Sequence, residues 1–284
     1  MSRTARKSDR PLLVVDGDSL AHRAYHALPK TFRRAEGKPA NMLLGVSNFL
    51  VRLWESERPR AVVVGWDTLE VPTYRHEAFA GYQAGRQFDD DLLEQLALMP
   101  DLVRAFGFAA AKGAGFEADD FLAAAVRSEE ARNGAALVVT SDRDSFQLAS
   151  ERTTILTPTR GVSELARIGP AEVRERYGVE PHQVPDFIAL RGDPSDKLPG
   201  AKGVGPKTAA DILKQYATLD AALDEGRFAA QADELRMYKR MATLDADAPL
   251  PPLDDQQPTW ANASAHVREL GLNALADRLA KLGA

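Results

Sequence analysis

Three short apolar runs rich in β-branched residues, each leading straight into aspartate, constrain this chain more than any other feature. Leu12–Val15 runs into Asp16, Ala61–Trp66 into Asp67, and Ala136–Thr140 into Ser141-Asp142-Arg143-Asp144. Runs of this length bounded by polar residues read as buried parallel strands. Between them Asn41–Glu57, Asp90–Phe106 and Ala118–Asn133 carry helical patterns, and Phe108–Ala111 reads as a further short strand. The order β-α-β-α-(β)-α-β predicts an α/β fold, a mostly parallel central sheet flanked by helices on both faces. Ligands of such sheets bind beyond the carboxyl ends of the strands. Three strands would deliver carboxylates there from distant parts of the chain.

After about residue 160 no further convincing strand follows. Pro170–Tyr177, His182–Leu190, Pro206–Tyr216, Leu219–Leu223 and Leu235–Leu244 read as short helices broken by Gly and Pro. Pro249–Pro258 reads as an extended arm, and Ser264–Leu282 as a helical hairpin packing back. The expected division is a basic flexible tail at 1–10, an α/β core at 11–165 and a helical lobe at 166–284. The first apolar stretch is too short for a signal-peptide core, and no run approaches the ~20 residues of a membrane span. A cytoplasmic protein, most simply a monomer, is expected. With no cysteine in 284 residues, disulfides, zinc fingers and thiol nucleophiles are excluded. The five histidines show no ligand spacing, so any metal must be held by oxygen.

The acids supply the chemical signal. Glu117, Asp119 and Asp120 crowd the start of one predicted helix, where acids also simply complement the macrodipole. Asp142 and Asp144 sit in what could be a polar strand-to-helix turn. Asp193 and Asp196, in Arg191-Gly-Asp-Pro-Ser-Asp-Lys-Leu-Pro-Gly200, could make an Asx turn and a cap, and Asp16 and Asp67 could be isolated loop residues. Jointly the nine fall at strand ends or helix starts on one edge of the sheet, where unpaired they would repel. Hard oxygen ligands favour Mg²⁺ or Mn²⁺, and two such ions can cut a phosphodiester. A net charge of −5 is weak evidence against nucleic acid, because with nine of the 41 acids set aside the 36 basic residues outnumber the rest.

Leu198-Pro-Gly-Ala-Lys-Gly-Val-Gly-Pro-Lys-Thr-Ala209 places Gly200, Gly203 and Gly205 in a turn entering a helix, with Lys202, Lys207 and Thr208 beside it. The plain reading is a tight helix–helix turn. Glycines that admit a phosphate, free N–H groups at a helix start and two lysines also fit a clamp on nucleic-acid backbone. It is not a P-loop, since Pro206 stands where the lysine belongs.

Together these segments resemble the 5′→3′ nuclease domain of bacterial DNA polymerase I and the stand-alone flap endonuclease superfamily. The matching stretches are Val14–Leu28, Tyr74-Arg-His-Glu77, Gly81-Tyr-Gln-Ala-Gly-Arg86, Gly115–Asp120, Thr140–Asp144 and Gly192–Thr208. The resemblance implies a PIN-like core and a metal-dependent, structure-selective 5′→3′ exonuclease and flap endonuclease, acting in replication (Okazaki fragment processing) and repair. Its substrates would be DNA with 5′ flaps, nicks or overhangs, and RNA–DNA primers. It further implies a helical arch at about 70–100 and a helix–three-turn–helix at about 185–217, commonly with a bound K⁺. Asp16, Asp67, Glu117, Asp119 and Asp120 would serve a first Mg²⁺ or Mn²⁺, and Asp142, Asp144, Asp193 and Asp196 a second. Arg23, Tyr25, Arg75 and Arg86 would act near the reacting nucleotide, and Lys202, Gly203, Gly205, Lys207 and Thr208 would hold DNA. Relatives usually carry lysine where this chain has Gln83. The chain stops about where a polymerase would start, so it resembles a free-standing nuclease working beside a separate polymerase and ligase. The alternatives are a catalytically weak DNA-structure-binding protein, and a haloacid-dehalogenase-like phosphatase built on Asp16-Gly-Asp18.

Overall fold

A computed structural model describes residues 10–69, 71–79, 81–83, 88–160 and 164–284. Apart from Arg10, the expected tail at 1–10 lies outside the described residues, as does Arg86. The chain runs β1 (Leu12–Asp16), α1 (Gly17–Ala27), α2 (Asn41–Glu57), β2 (Ala61–Gly65), α3 (Tyr74–Ala78), α4 (Asp90–Ala105), β3 (Ala109–Ala111), α5 (Ala118–Ala131), β4 (Ala136–Val139), β5 (Thr153–Arg160) and β6 (Glu164–Ile168). Helices α6 (Pro170–Tyr177), α7 (Val184–Arg191), α8 (Pro206–Tyr216), α9 (Leu219–Asp224), α10 (Ala232–Ala242), α11 (Trp260–Glu269) and α12 (Asn273–Leu282) follow.

The six strands form one sheet in the order β3-β2-β1-β4-β5-β6, parallel except for the antiparallel β5–β6 pair. Strand residues alternate between two cores, as a period of two requires. Leu12, Val14, Ala61, Val63, Ala136 and Val138 face α5 and the helices of the C-terminal half. Leu13, Val15, Val62, Val64, Leu137 and Val139 face α1, α2, α4, α11 and α12. Register pairs Asp16 with Gly65 and Val15 with Val139, so β1, β2 and β4 end level. The chain turns from building leftward of β1 to building rightward between β1 and β4, and a crevice opens at such a switch point. Gly17 is needed there: a Cβ would lie 2.6 Å from the Gly65 carbonyl oxygen.

Strands β5 and β6 depart from the reading of the sequence. Pro158 argues against a strand, yet it sits where the β5–β6 register shifts, one of the places a sheet tolerates proline. The short, largely polar Glu164–Ile168 pairs only at the sheet edge. A core boundary at 165 would therefore cut β6. Nor do α11 and α12 belong to the helical lobe: Ala263, Val267, Leu275 and Leu279 complete the opposite core, beside α2 and α4. The arm between them and α10 is anchored by Arg60, whose guanidinium pairs with buried Glu129 and donates to the Leu253 carbonyl at 2.6 Å. Of the segment expected as an arch at about 70–100, α4 belongs to the core instead, through Leu92, Leu96 and Met99. Among the described residues no helix is long and apolar enough to cross a membrane.

Candidate active site

A cleft of about 750 Å³ opens at the carboxyl edge of the sheet. Asp16, Asp18, Asp67, Glu117, Asp119, Asp142, Asp144, Asp193 and Asp196 line it, against the guanidinium groups of Arg143 and Arg191. Five separate chain segments supply these acids, and each segment places them by a local device. Asp16 ends β1 and caps α1: one carboxylate oxygen accepts from the Ser19 amide at 2.9 Å, the other from the Thr140 hydroxyl at 2.7 Å. The Thr140 bond ties the end of β1 to the end of β4 across the switch point. Asp18 accepts from the Asp67 amide at 2.7 Å, and Asp67 accepts from the Ala118 amide at the start of α5 at 2.7 Å. Asp142 accepts from the Asp144 amide at 2.9 Å, and Asp193 from the Ser195 amide at 2.7 Å.

Crowding shows in the acidities. Burial pushes the Asp16 carboxyl up to about 7; hydrogen bonds from Thr140 and Ser19 oppose the rise, and the charges of Asp67 and Asp142 add to it. Burial, then the charge of Asp67, raises Asp18 well above the carboxylate range. Asp119 and Asp144 are raised likewise, by burial first and then by neighbouring acids. Asp119 Oδ1 is buried with no hydrogen-bond partner, although Arg75 lies 3.8 Å away. Among the described residues no three of these side chains close on one point tightly enough to form a metal site as the chain stands. Their fit to divalent ions is one of donor chemistry and excess negative charge: an all-oxygen set suits Mg²⁺ or Mn²⁺.

Eight of the nine acids expected from sequence meet in this cleft, and Asp120 does not. It is fully buried, holding both terminal nitrogens of Arg75 at 2.9 and 2.7 Å and the amides of Glu117 and Asp245 at 3.0 and 2.8 Å. Asp18 takes the ninth place. Its signal is an acid two residues beyond a capping aspartate, both in the first turn of one helix. Arg75 is a second correction. Only 1% exposed, it is committed to Asp120 and to the Met241 carbonyl at 3.0 Å, so it braces the acidic wall and cannot reach a phosphate in the cleft. Tyr25 is a third, because its ring is buried against α2 and α4 and its hydroxyl donates to Asp89 at 2.5 Å. Arg23 donates to the Ser141 hydroxyl on the cleft wall at 2.8 Å.

The acidic cleft and the glycine-lysine turn are one piece of chain. Helix α7 ends at Gly192, where the turn carrying Asp193 and Asp196 begins; Gly200 closes it so tightly that a Cβ would meet the Gly192 amide nitrogen at 2.4 Å. Both glycines have positive φ, 80° and 75°, so no other residue fits easily. Beyond Ala201, whose amide donates to the Leu190 carbonyl at 2.8 Å, Lys202, Gly203, Gly205, Lys207 and Thr208 are all exposed at the start of α8.

Comparison with known proteins agrees with this geometry. Residues 11–178 match the family described as 5′-3′ exonuclease, N-terminal resolvase-like domain, and residues 179–263 match the 5′-3′ exonuclease, C-terminal SAM fold. The chain belongs to the 5′-3′ exonuclease family. Its enzyme class is accordingly phosphodiester hydrolase. It is 42% identical over 215 residues to DNA polymerase I of Mycobacterium leprae, an alignment covering 75% of this chain and 24% of that protein. It thus spans about a quarter of the length of the curated relative it matches. A bacteriophage T5 protein co-crystallised with metal ions superimposes with a TM-score of 0.71 at 19% identity, covering 97% of this chain and all of the other. The T5 flap endonuclease in a complex with DNA and metal ions gives a TM-score of 0.70 at 19% identity over 96% of this chain and 98% of that one. These two share the fold of this 5′-3′ exonuclease. The phosphatase alternative falls with the family assignment.

Proposed function

We propose that this 5′-3′ exonuclease cuts DNA near the junction of a 5′ single strand and duplex, as exonuclease and flap endonuclease, with two Mg²⁺ or Mn²⁺ ions. Its setting would be replication and repair beside a polymerase and a ligase. The observation that carries this reading is the meeting of nine carboxylates, opposed by two arginines, in one cleft. A phosphodiester is repelled from such a field until cations neutralise it. Asp16, Asp18, Asp67, Glu117 and Asp119 would hold an ion on the β1–β2 side, and Asp142, Asp144, Asp193 and Asp196 one on the β4–α7 side. When bound, such a pair lowers the pKa of water and stabilises a leaving oxygen.

The chain's own residues do the rest. Arg143 and Arg191 face the cleft as cations for the phosphate, and Leu69 and Phe88 give it an apolar margin. Lys202, Lys207 and Thr208, with the backbone around Gly203 and Gly205, would hold duplex phosphates without reading sequence; the family's K⁺ would sit at this turn.

The deciding experiment incubates a labelled 5′-flap duplex with Mg²⁺, Mn²⁺ or EDTA. Metal-dependent products ending near the junction are expected. Binding without any such product would leave only the DNA-structure-binding alternative. Replacing Lys202 and Lys207 together with alanine should weaken binding evenly across sequences and lower the slope of log K against log salt by about 1 to 2, read by anisotropy.

Gln83 gives a sharper test. Its amide donates to the Tyr82 hydroxyl at 2.9 Å and lies 3.4 Å from Asp196 on the far wall, so it spans the cleft without adding charge. Gln83→Lys places a cation there and should raise steady-state turnover on a 5′ flap, by up to about tenfold if it recovers about 1.4 kcal/mol in the transition state. Unchanged or lower turnover would show that the missing cation is not limiting.

A further inference from the structure

Glu117 stands apart from the other acids of the cleft in how it is held. Asp16, Asp18, Asp67, Asp142 and Asp193 each accept from a backbone amide close to the sheet edge, with hydroxyls of Thr140 and Ser195 added at Asp16 and Asp193. Glu117 is fixed by two side-chain hydroxyls from the segment before α4, with Arg75 Nη1 of the same segment 3.5 Å from its Oε2. Its Oε1 accepts from the Thr73 hydroxyl at 2.7 Å, and its Oε2 from the Tyr82 hydroxyl at 2.9 Å. Both donors are buried, Thr73 to 2% and Tyr82 to 5% exposure, which limits the access of water to either bond. Thr73 is itself held, since its oxygen lies 2.8 Å from Nδ1 of His76. The same Nδ1 accepts from the Thr73 backbone amide at 3.3 Å, so the ring and the threonine are tied at two points. The Tyr82 ring packs edge-on to His76, with centroids 5.2 Å apart. The two hydroxyls are therefore ordered by one another's neighbours, and they fix both oxygens of one carboxylate.

We infer that Thr73 and Tyr82 are positioning residues: their hydroxyls set the direction in which Glu117 presents its lone pairs to the cleft, and so set the affinity of the site for a divalent ion. Neither touches the reacting phosphate in this role. Each oxygen of an ionised carboxylate has room for a hydrogen bond and a metal contact together, and hydrogen bonds to a ligand oxygen commonly govern metal affinity by 10- to 100-fold. The inference rests on the metal-dependent reading above. It adds that the 73–83 segment, which also supplies Arg75 to Asp120 and Gln83 to the cleft, holds the metal-binding acids in place.

The test measures Mn²⁺ binding to the full chain without DNA, by calorimetry or by electron paramagnetic resonance of the free ion, and separately the Mn²⁺ dependence of flap cleavage. Thr73→Val keeps the shape and removes the hydroxyl; Tyr82→Phe does the same for the ring. Each should weaken Mn²⁺ binding by about tenfold and move the cleavage midpoint to higher Mn²⁺ by the same factor. Saturating Mn²⁺ should restore kcat, with KM for the DNA unchanged, and Thr73→Ser should bind as wild type does. A role confined to stability would lower the melting temperature and leave the Mn²⁺ midpoint where it was. If wild type binds Mn²⁺ and both hydroxyl-free variants bind it equally well, the inference is overturned and the proposed function stands. If wild type binds no Mn²⁺ and needs none to cleave, the proposed function fails and takes this inference with it.

Discussion

Asp119→Asn should reduce cleavage of a 5′-flap duplex by at least about 100-fold while raising the melting temperature of the metal-free protein. The two effects have one origin. Asp119 lines the cleft, and its Oδ1 is buried facing Arg75 at 3.8 Å with no hydrogen bond, so its negative charge is costly while no cation sits among these acids. Its pKa is raised by burial first and, against the pull of Arg75, by the charges of Asp120, Glu117 and Asp142. A carboxyl with a raised folded-state pKa binds its proton more tightly folded than unfolded. Its contribution is most favourable at low pH and is lost as pH climbs from the unfolded value toward the folded one. For Asp16 that window runs from 3.8 to about 7, and the loss above it is on the order of 4 kcal/mol. Metal-free wild type should accordingly melt at a lower temperature at pH 8 than at pH 5. The asparagine variant should show a smaller difference, and millimolar Mg²⁺ or Mn²⁺ should restore wild type at pH 8 more than it restores the variant. Calorimetric scans at the two pH values, with and without the ion, check all three. A variant that cleaves normally would remove Asp119 from the site.

Arg75→Met should destabilise the fold by about 3–5 kcal/mol, equivalent to roughly 10 °C in a chain of this size. Arg75 and Asp120 are both at most 1% exposed and share two hydrogen bonds. Removing the cation alone strands a carboxylate that water cannot reach. Arg75→Lys should recover only part of the loss, because a single ammonium cannot reproduce the two-pronged contact or the bond to the Met241 carbonyl. The double change Arg75→Met with Asp120→Asn should be more stable than Arg75→Met alone, since the stranded charge is gone. Denaturant midpoints separate these cases. If Arg75→Met instead left stability intact and selectively weakened DNA binding, the residue would be a phosphate contact after all.

Asp119 and Asp120 mark how far the chain can be read without its structure. Strand ends are legible because β-branched runs stop at polar residues, which puts Asp16, Asp67 and Asp142 at the edge where one cleft opens. Adjacent residues on a helix point about 100° apart, however, so of two neighbouring acids one entered the cleft and the other turned inward. Which one did so depended on Arg75, some 45 positions earlier, and pairing over that span leaves no local pattern. Asp18 is not legible for a related reason: beside a capping aspartate it looks like ordinary first-turn charge. The turn at Gly200–Thr208 is legible because positive-φ glycines, here Gly200 and Gly203, and a proline at a helix start are local requirements. Strand β5 is not, because Pro158 contradicts it locally and only its neighbours in the sheet make it acceptable.

The single turn that leaves α7 carries Asp193 and Asp196 into the cleft and then Lys202 outward, with Gly192 and Gly200 pressed together between them. If duplex is held on the outer part and severed at the inner part, the offset between grip and cut is fixed by a handful of rigid backbone bonds. The protein would then work as a ruler, setting the cut by length from the junction whatever the bases are.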